Sequence, residues 1–139
     1  MMNNYNEYYN YPNNTNNVNK PSKLLMEPYE AFIKGNLFNN LYNQYKNYKP
    51  VQLNPSTEQE YALMLVQIYD FCTHELTLYL DNYPNDSDMI RLRDEYSKAT
   101  REALNNYETK FGPITLSSGT LNTVPWAWDT KKWPWEGNN

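Results

Sequence analysis

Residues 55–86 read "PSTEQEYALMLVQIYDFCTHELTLYLDNYPND" and decide the fold. The stretch opens with two overlapping capping boxes, Ser56-x-x-Gln59 and Thr57-x-x-Glu60, either of which satisfies the first free amides of a helix. Tyr61, Leu65, Ile68, Cys72, Leu76 and Tyr79 follow at helical spacing, with Met64, Phe71 and Leu78 widening the stripe. The spacing predicts a helix from about 57 to 82, stopped by the "NYPND" turn, because the residue before Pro84 is driven out of helical conformation. Asp86 or Ser87 then caps a second helix running to about 110, with Met89, Tyr96, Ala99, Ala103 and Tyr107 on one face. Asp94 and Lys98 form an i, i+4 pair on its solvated side. Gly112-Pro113 ends it. A short loop between two long amphipathic helices reads as an antiparallel αα-hairpin.

Upstream, residues 24–50 read "LLMEPYEAFIKGNLFNNLYNQYKNYKP". Pro28 suits the first turn of a helix, and Gly35 can end it as a left-handed cap. Asn36 can cap a second short helix carrying Leu37, Phe38, Leu41, Tyr42 and Tyr45. Neither is long enough to stand alone in water. Their apolar faces, with Phe32, Leu37, Phe38, Leu41 and Tyr42 as anchors, are expected to dock on the hairpin or on a partner. Charge supports an encounter between the halves: residues 1–57 carry five Lys against three acids, and the first long helix carries five acids and no Lys or Arg. Residues 1–23 are Asn/Tyr low complexity and are expected to form a disordered arm.

Composition narrows the function classes. The chain has 139 residues, a net charge of −4 and 22 asparagines, so any core is small. No basic cluster exceeds two adjacent residues, which disfavours nucleic-acid binding. No apolar run approaches the roughly 20 residues of a membrane span, and the first residues have no apolar signal core, so synthesis in a cytosol is expected. Cys72 is the lone cysteine and reads as a small buried hydrophobe. His74 is the lone histidine, with Asp70 one turn earlier, too few ligands for a metal site. "HELTL" lacks the second His of a metalloprotease motif, and no phosphate loop or nucleophile elbow occurs. No catalytic residue, cofactor or metal is assigned.

The chain ends "PWAWDTKKWPWE" over residues 125–136, with all four tryptophans inside ten residues. Pro125 and Pro134 favour an extended tail, in which the i, i+2 pairs Trp126/Trp128 and Trp133/Trp135 point to one side. The expectation is that Trp126 and Trp128 cover the hairpin seam near Tyr61, Leu65 and Ile68, while Trp133 and Trp135 complete an aromatic patch for a partner. The alternative is a carbohydrate- or peptidoglycan-binding module whose indoles stack on sugar rings.

Three segments, "LYLDNYPNDSD", "YETKFGPITL" and "WAWDTKKWPWE", together resemble the CotJB family of spore coat proteins over about 60–136. Asn82 and Tyr83 stand where that family has Thr and His before the proline, and Phe111 stands for its Tyr. "EPYEAFIKGNLFNNLYNQYKNYKP" is similar to a segment of CotJA, a companion coat protein, with Asn36 where that family favours Thr. The resemblance implies a structural coat protein, made in the mother cell, that assembles with other coat proteins including CotJC, a manganese-catalase-like component. Self-association also fits. The expected organisation is a 1–23 arm, a CotJA-like short helical segment and linker over 24–55, and a CotJB-like hairpin with its tail over 56–139. The fold class is mainly α.

Overall fold

The structure, a computed structural model, describes residues 25–41 and 46–130. Its longest elements grow from the capping chemistry of the sequence. Thr57 Oγ1 accepts the Glu60 amide at 3.1 Å, and the Glu60 carboxylate reaches back to the amides of Ser56 and Thr57 at 2.7 and 3.3 Å. The Ser56 amide and hydroxyl hold the Glu60 carboxyl below its usual range. Helix α2, Glu58–Asn82, starts there and ends one residue before Tyr83-Pro84. Asp86 caps the next helix, α3, Ser87–Phe111, by accepting the Met89 amide at 3.2 Å. Its other oxygen accepts the Tyr79 hydroxyl at 3.0 Å, so one carboxylate ties the end of α2 to the start of α3 and pushes the Tyr79 phenol up. Gly112, at φ +109°, ends α3 in a conformation that residues with a Cβ rarely adopt.

The two helices, 25 residues each, pack along their length as an antiparallel hairpin. Leu76 and Met89 are buried near the turn, with Leu80, Leu92 and Tyr96 packed around them. Farther along, Thr73 and Thr100 hydroxyls meet at 3.4 Å and Arg93 donates to Thr77 Oγ1 at 2.9 Å. At the open end Gln59 donates to the hydroxyl of buried Tyr107 at 3.0 Å, and Lys110 pairs with Glu58 at 2.5 Å. Burial drives the Tyr96 phenol upward, with a smaller contribution from Cys72.

Helix α1, Pro28–Lys34, lies against α2. Pro28 opens it, Glu30 and Lys34 pair across one turn, and Gly35 closes it at φ +75° with its amide bonded back to Ala31. The chain then returns: Met26 N–H donates to the Leu37 carbonyl at 2.9 Å, and an antiparallel bridge joins Leu25 to Phe38. This loop places Met26, Ala31, Leu37 and Phe38 in one core with Cys72, Leu76 and Met89. Cys72 is fully buried there, and burial pushes its thiol up to about 12. A second cluster of Tyr61, Met64 and Ile68 is covered by Tyr29, Phe32 and Leu65. Beyond Leu37 a 3₁₀ turn, Asn39–Leu41, stands where the sequence predicts the start of a second helix; just before it Asn36 Oδ1 accepts the Phe38 amide at 2.7 Å.

One expectation is corrected by the C-terminal segment. After a 3₁₀ turn, Gly119–Leu121, and a cis Val124-Pro125 bond, the chain forms a four-residue helix, α4, Ala127–Thr130, where the sequence predicts an extended strand-like tail. The physical reason is that Ala127, not either neighbouring indole, faces inward: Ala127 and Leu121 are buried and the two turns pack together. The side-chain alternation of a strand is lost there, and the seam near Tyr61, Leu65 and Ile68 is covered by residues of α1.

Candidate partner-binding surface

The structure separates the residues that the sequence groups as partner anchors. Phe32 meets Phe71 edge-on, with ring centroids 5.8 Å apart and planes at 70°. Leu37 is fully buried, and its amide donates to Glu75 Oε2 at 3.2 Å. Phe38 is buried and stacks on Tyr79 at 4.9 Å and 21°. These three point into the protein's own hairpin. Leu41, by contrast, is 60% exposed. Tyr42, Trp133 and Trp135 lie outside the described residues. The N-terminal arm over 1–23 lies outside them as well.

Trp126 is 55% exposed and stacks on half-buried Trp128, with centroids 6.2 Å apart and planes at 22°. The segment carrying this pair is anchored by Glu108. That carboxylate is buried at the last turn of α3 and accepts the Ile114 amide at 2.9 Å and the Ser118 hydroxyl at 2.6 Å. Ser118 in turn caps the 3₁₀ turn by accepting the Thr120 amide. Two carboxylate oxygens therefore hold the chain reversal that follows Gly112-Pro113. A buried carboxylate so used is costly to leave without donors. Leu116 and Val124, 71% and fully exposed, lie on the same segment. The C-terminal segment thus carries three large apolar side chains in water while its small residue, Ala127, is buried.

Two features of this surface escaped the sequence reading. The Glu108 anchor looks like an ordinary solvated helix residue; its only sequence signal is the hydroxyl-rich "TLSSGT" ten residues on. The other is a shallow cleft of about 360 Å³ at the hairpin turn, lined by Tyr79, Asn82, Tyr83, Pro84, Asn85 and Asp86. Tyr83 forms its outer wall, tilted on Tyr79 at 4.7 Å and 30°. His74 and Asp70 are both exposed on the outer side of α2. Among the described residues, no group of three or more His, Cys, Asp or Glu is placed to hold a metal ion. Among the same residues, no helix is long and apolar enough to cross a membrane.

The model of one protein family, CotJB protein, matches residues 59–136, more than half of the chain. The chain belongs to the CotJB family. No curated protein and no solved structure matches it. The CotJB match runs from the first turn of α2 through both long helices, the hairpin turn, the Glu108 anchor and all four tryptophans. Helix α1 and the bridged loop around it, residues 25–41, fall outside it. CotJB membership makes the chain a spore coat protein.

Proposed function

We propose that the chain is a non-catalytic assembly component of the endospore coat, joining neighbouring coat proteins through its C-terminal aromatic segment. The observation that carries this reading is the Trp126/Trp128 stack, half in water on a segment pinned by a buried carboxylate. Tryptophans held this way dominate protein interfaces, because their large area is desolvated without much loss of side-chain freedom. Leu116, Val124 and Leu41 supply further exposed apolar area, and Trp133 and Trp135 extend the same run of sequence. A manganese-catalase-like coat protein of the CotJC type is the partner that family membership suggests. The α1 segment acts as a CotJA-like piece carried on the same chain, its Phe32, Leu37 and Phe38 spent on docking to the hairpin. This assigns 24–55 and 56–139 as two units of one body, synthesised in the mother cell and deposited in the coat.

Affinity capture from sporulating cells tests the reading, with captured proteins identified by mass spectrometry. Wild-type bait is expected to retain identified coat proteins, the manganese-catalase-like one among them. The double variant Trp126→Ala with Trp128→Ala should lose roughly 30-fold, the scale of a tryptophan hot spot. Equal capture by both baits rejects the aromatic segment as the contact. Retention of the wild type by purified peptidoglycan, with no coat protein captured, replaces the reading with the glycan-binding one.

A further inference from the structure

Helices α1, α2 and α3 differ in how they end. α1 carries Lys34 in its last turn and α3 carries Lys110, the sign that the negative end of a helix favours. The last turn of α2 holds no basic residue. Asp81 stands there instead, and Pro84 has no N–H to give the Leu80 carbonyl. The positive end of α3 alongside is already met by Asp86, which accepts the Met89 amide at 3.2 Å. From Tyr79 to Leu92 the one base is Arg91, and it is paired with Asp88 at 3.1 Å. Among the described residues, the end of α2 is therefore electronegative and lacks a cation of its own.

The cleft of about 360 Å³ at the hairpin turn opens at this end. Small-ligand sites run from roughly 300 to 1,000 Å³, so it has room for one side chain. Three rings are stacked up to it, Phe38 on Tyr79 at 4.9 Å and Tyr79 on Tyr83 at 4.7 Å. Asp86 fixes the middle ring by accepting the Tyr79 hydroxyl at 3.0 Å. Tyr83, the last ring, is 58% exposed and leaves aromatic surface open to a guest. Asn82 donates to the Leu78 carbonyl at 3.3 Å, which leaves its amide oxygen as an acceptor on the cleft wall, and Asn85 adds a second amide. Ring surface, amide oxygens and a helix end without a cation together suit a planar cation that stacks and donates at once. Guanidinium does both, whereas ammonium is a compact point charge. We propose that the cleft receives an arginine side chain of a partner protein, its guanidinium laid against Tyr83 and donating to the Asn82 amide oxygen. The site lies at the other end of the hairpin from Glu108 and the Trp126 segment, and it does not rest on the coat assignment.

The test titrates the isotope-labelled full-length chain with three blocked amino acids and follows amide NMR shifts. Nα-acetyl-arginine amide is the probe, Nα-acetyl-citrulline amide its uncharged twin, and Nα-acetyl-lysine amide the ammonium counterpart. Saturating shifts are expected at Asn82, Tyr83 and Asn85, with an arginine midpoint about two- to fivefold below that of either other compound. Tyr83→Phe keeps a ring and should bind as wild type does, whereas Tyr83→Leu should raise the arginine midpoint by about the same two- to fivefold. Equal midpoints for arginine and citrulline overturn the proposal, because charge then plays no part. A tighter lysine compound overturns the choice of guanidinium. An arginine midpoint unchanged in Tyr83→Leu, or shifts confined to other parts of the chain, overturns the assignment to this cleft.

Discussion

Replacing Phe38 by Ala separates the inward-facing from the outward-facing part of the N-terminal segment. The ring is buried, stacks on Tyr79 at 4.9 Å and touches the core that contains Cys72 and Leu76. Truncating a buried Phe costs about 3–5 kcal/mol, of which the lost stacking accounts for about 0.5–1.5 kcal/mol. The residue lies next to the edge of the segment, where the surroundings can partly collapse, so the lower end, about 3 kcal/mol, is expected. For a domain of roughly 100 residues each kcal/mol moves Tm by about 4–8 °C, giving a drop of about 12–24 °C. Leu41→Asp, three residues on, changes an exposed side chain and should stay within about 0.5 kcal/mol. Circular dichroism melts of the two variants against wild type decide. A Phe38→Ala loss below about 1 kcal/mol, or equal losses for both variants, refutes the packing of this segment on the hairpin.

Four further outcomes are expected. Glu108→Leu leaves the Ile114 amide and the Ser118 hydroxyl without their acceptor, costing about 1–3 kcal/mol; tryptophan emission should become easier to quench while helix ellipticity barely changes, and unchanged quenching counts against the anchor. Thr57→Ala removes the acceptor for the Glu60 amide and should cost about 1 kcal/mol by urea melt. The Glu60 carboxyl sits below its usual value when folded, so its bonds stabilise fully above the unfolded pKa and are lost as pH falls through the folded one. The Tm difference between wild type and Glu60→Gln should therefore shrink on acidification; a constant difference contradicts the capping box. Cys72, raised from 9.0 to about 12, works in the opposite direction: its contribution is complete below pH 9 and is lost as pH rises towards 12. Wild type should lose stability over that window relative to Cys72→Ala, and parallel alkaline melts would show a thiol already open to water.

Legibility from the sequence followed how local the deciding physics is. The ends of α2 and α3 were readable because caps and prolines act within four residues: Thr57 with Glu60, Pro84, Asp86 and Gly112 all stand at the predicted boundaries. The same holds for α1 between Pro28 and Gly35. The Trp-rich tail misled because Trp-x-Trp alternation looks like a strand, whereas the segment turns on the small residue between the indoles. Which of Phe38 and Leu41 faces inward depends on a long-range bridge, Leu25 to Phe38, that periodicity does not encode. Glu108 was invisible for a related reason: the groups that make its burial tolerable, Ile114 and Ser118, arrive from a chain reversal beyond its helix.

The bond from the Leu37 amide to Glu75 has a bearing on how the protein can drift. An acidic side chain on the hairpin reads main chain there, so the bond is indifferent to which side chain stands at 37. Volume at that position can be traded against the facing core residues without disturbing the polar contact. Proline is the one substitution that silences it, having no N–H to give. Glu75 has less latitude, since Gln keeps one oxygen that can accept the amide whereas Ala removes the acceptor altogether. Variation should therefore accumulate on the segment side of this contact, while the hairpin side holds still.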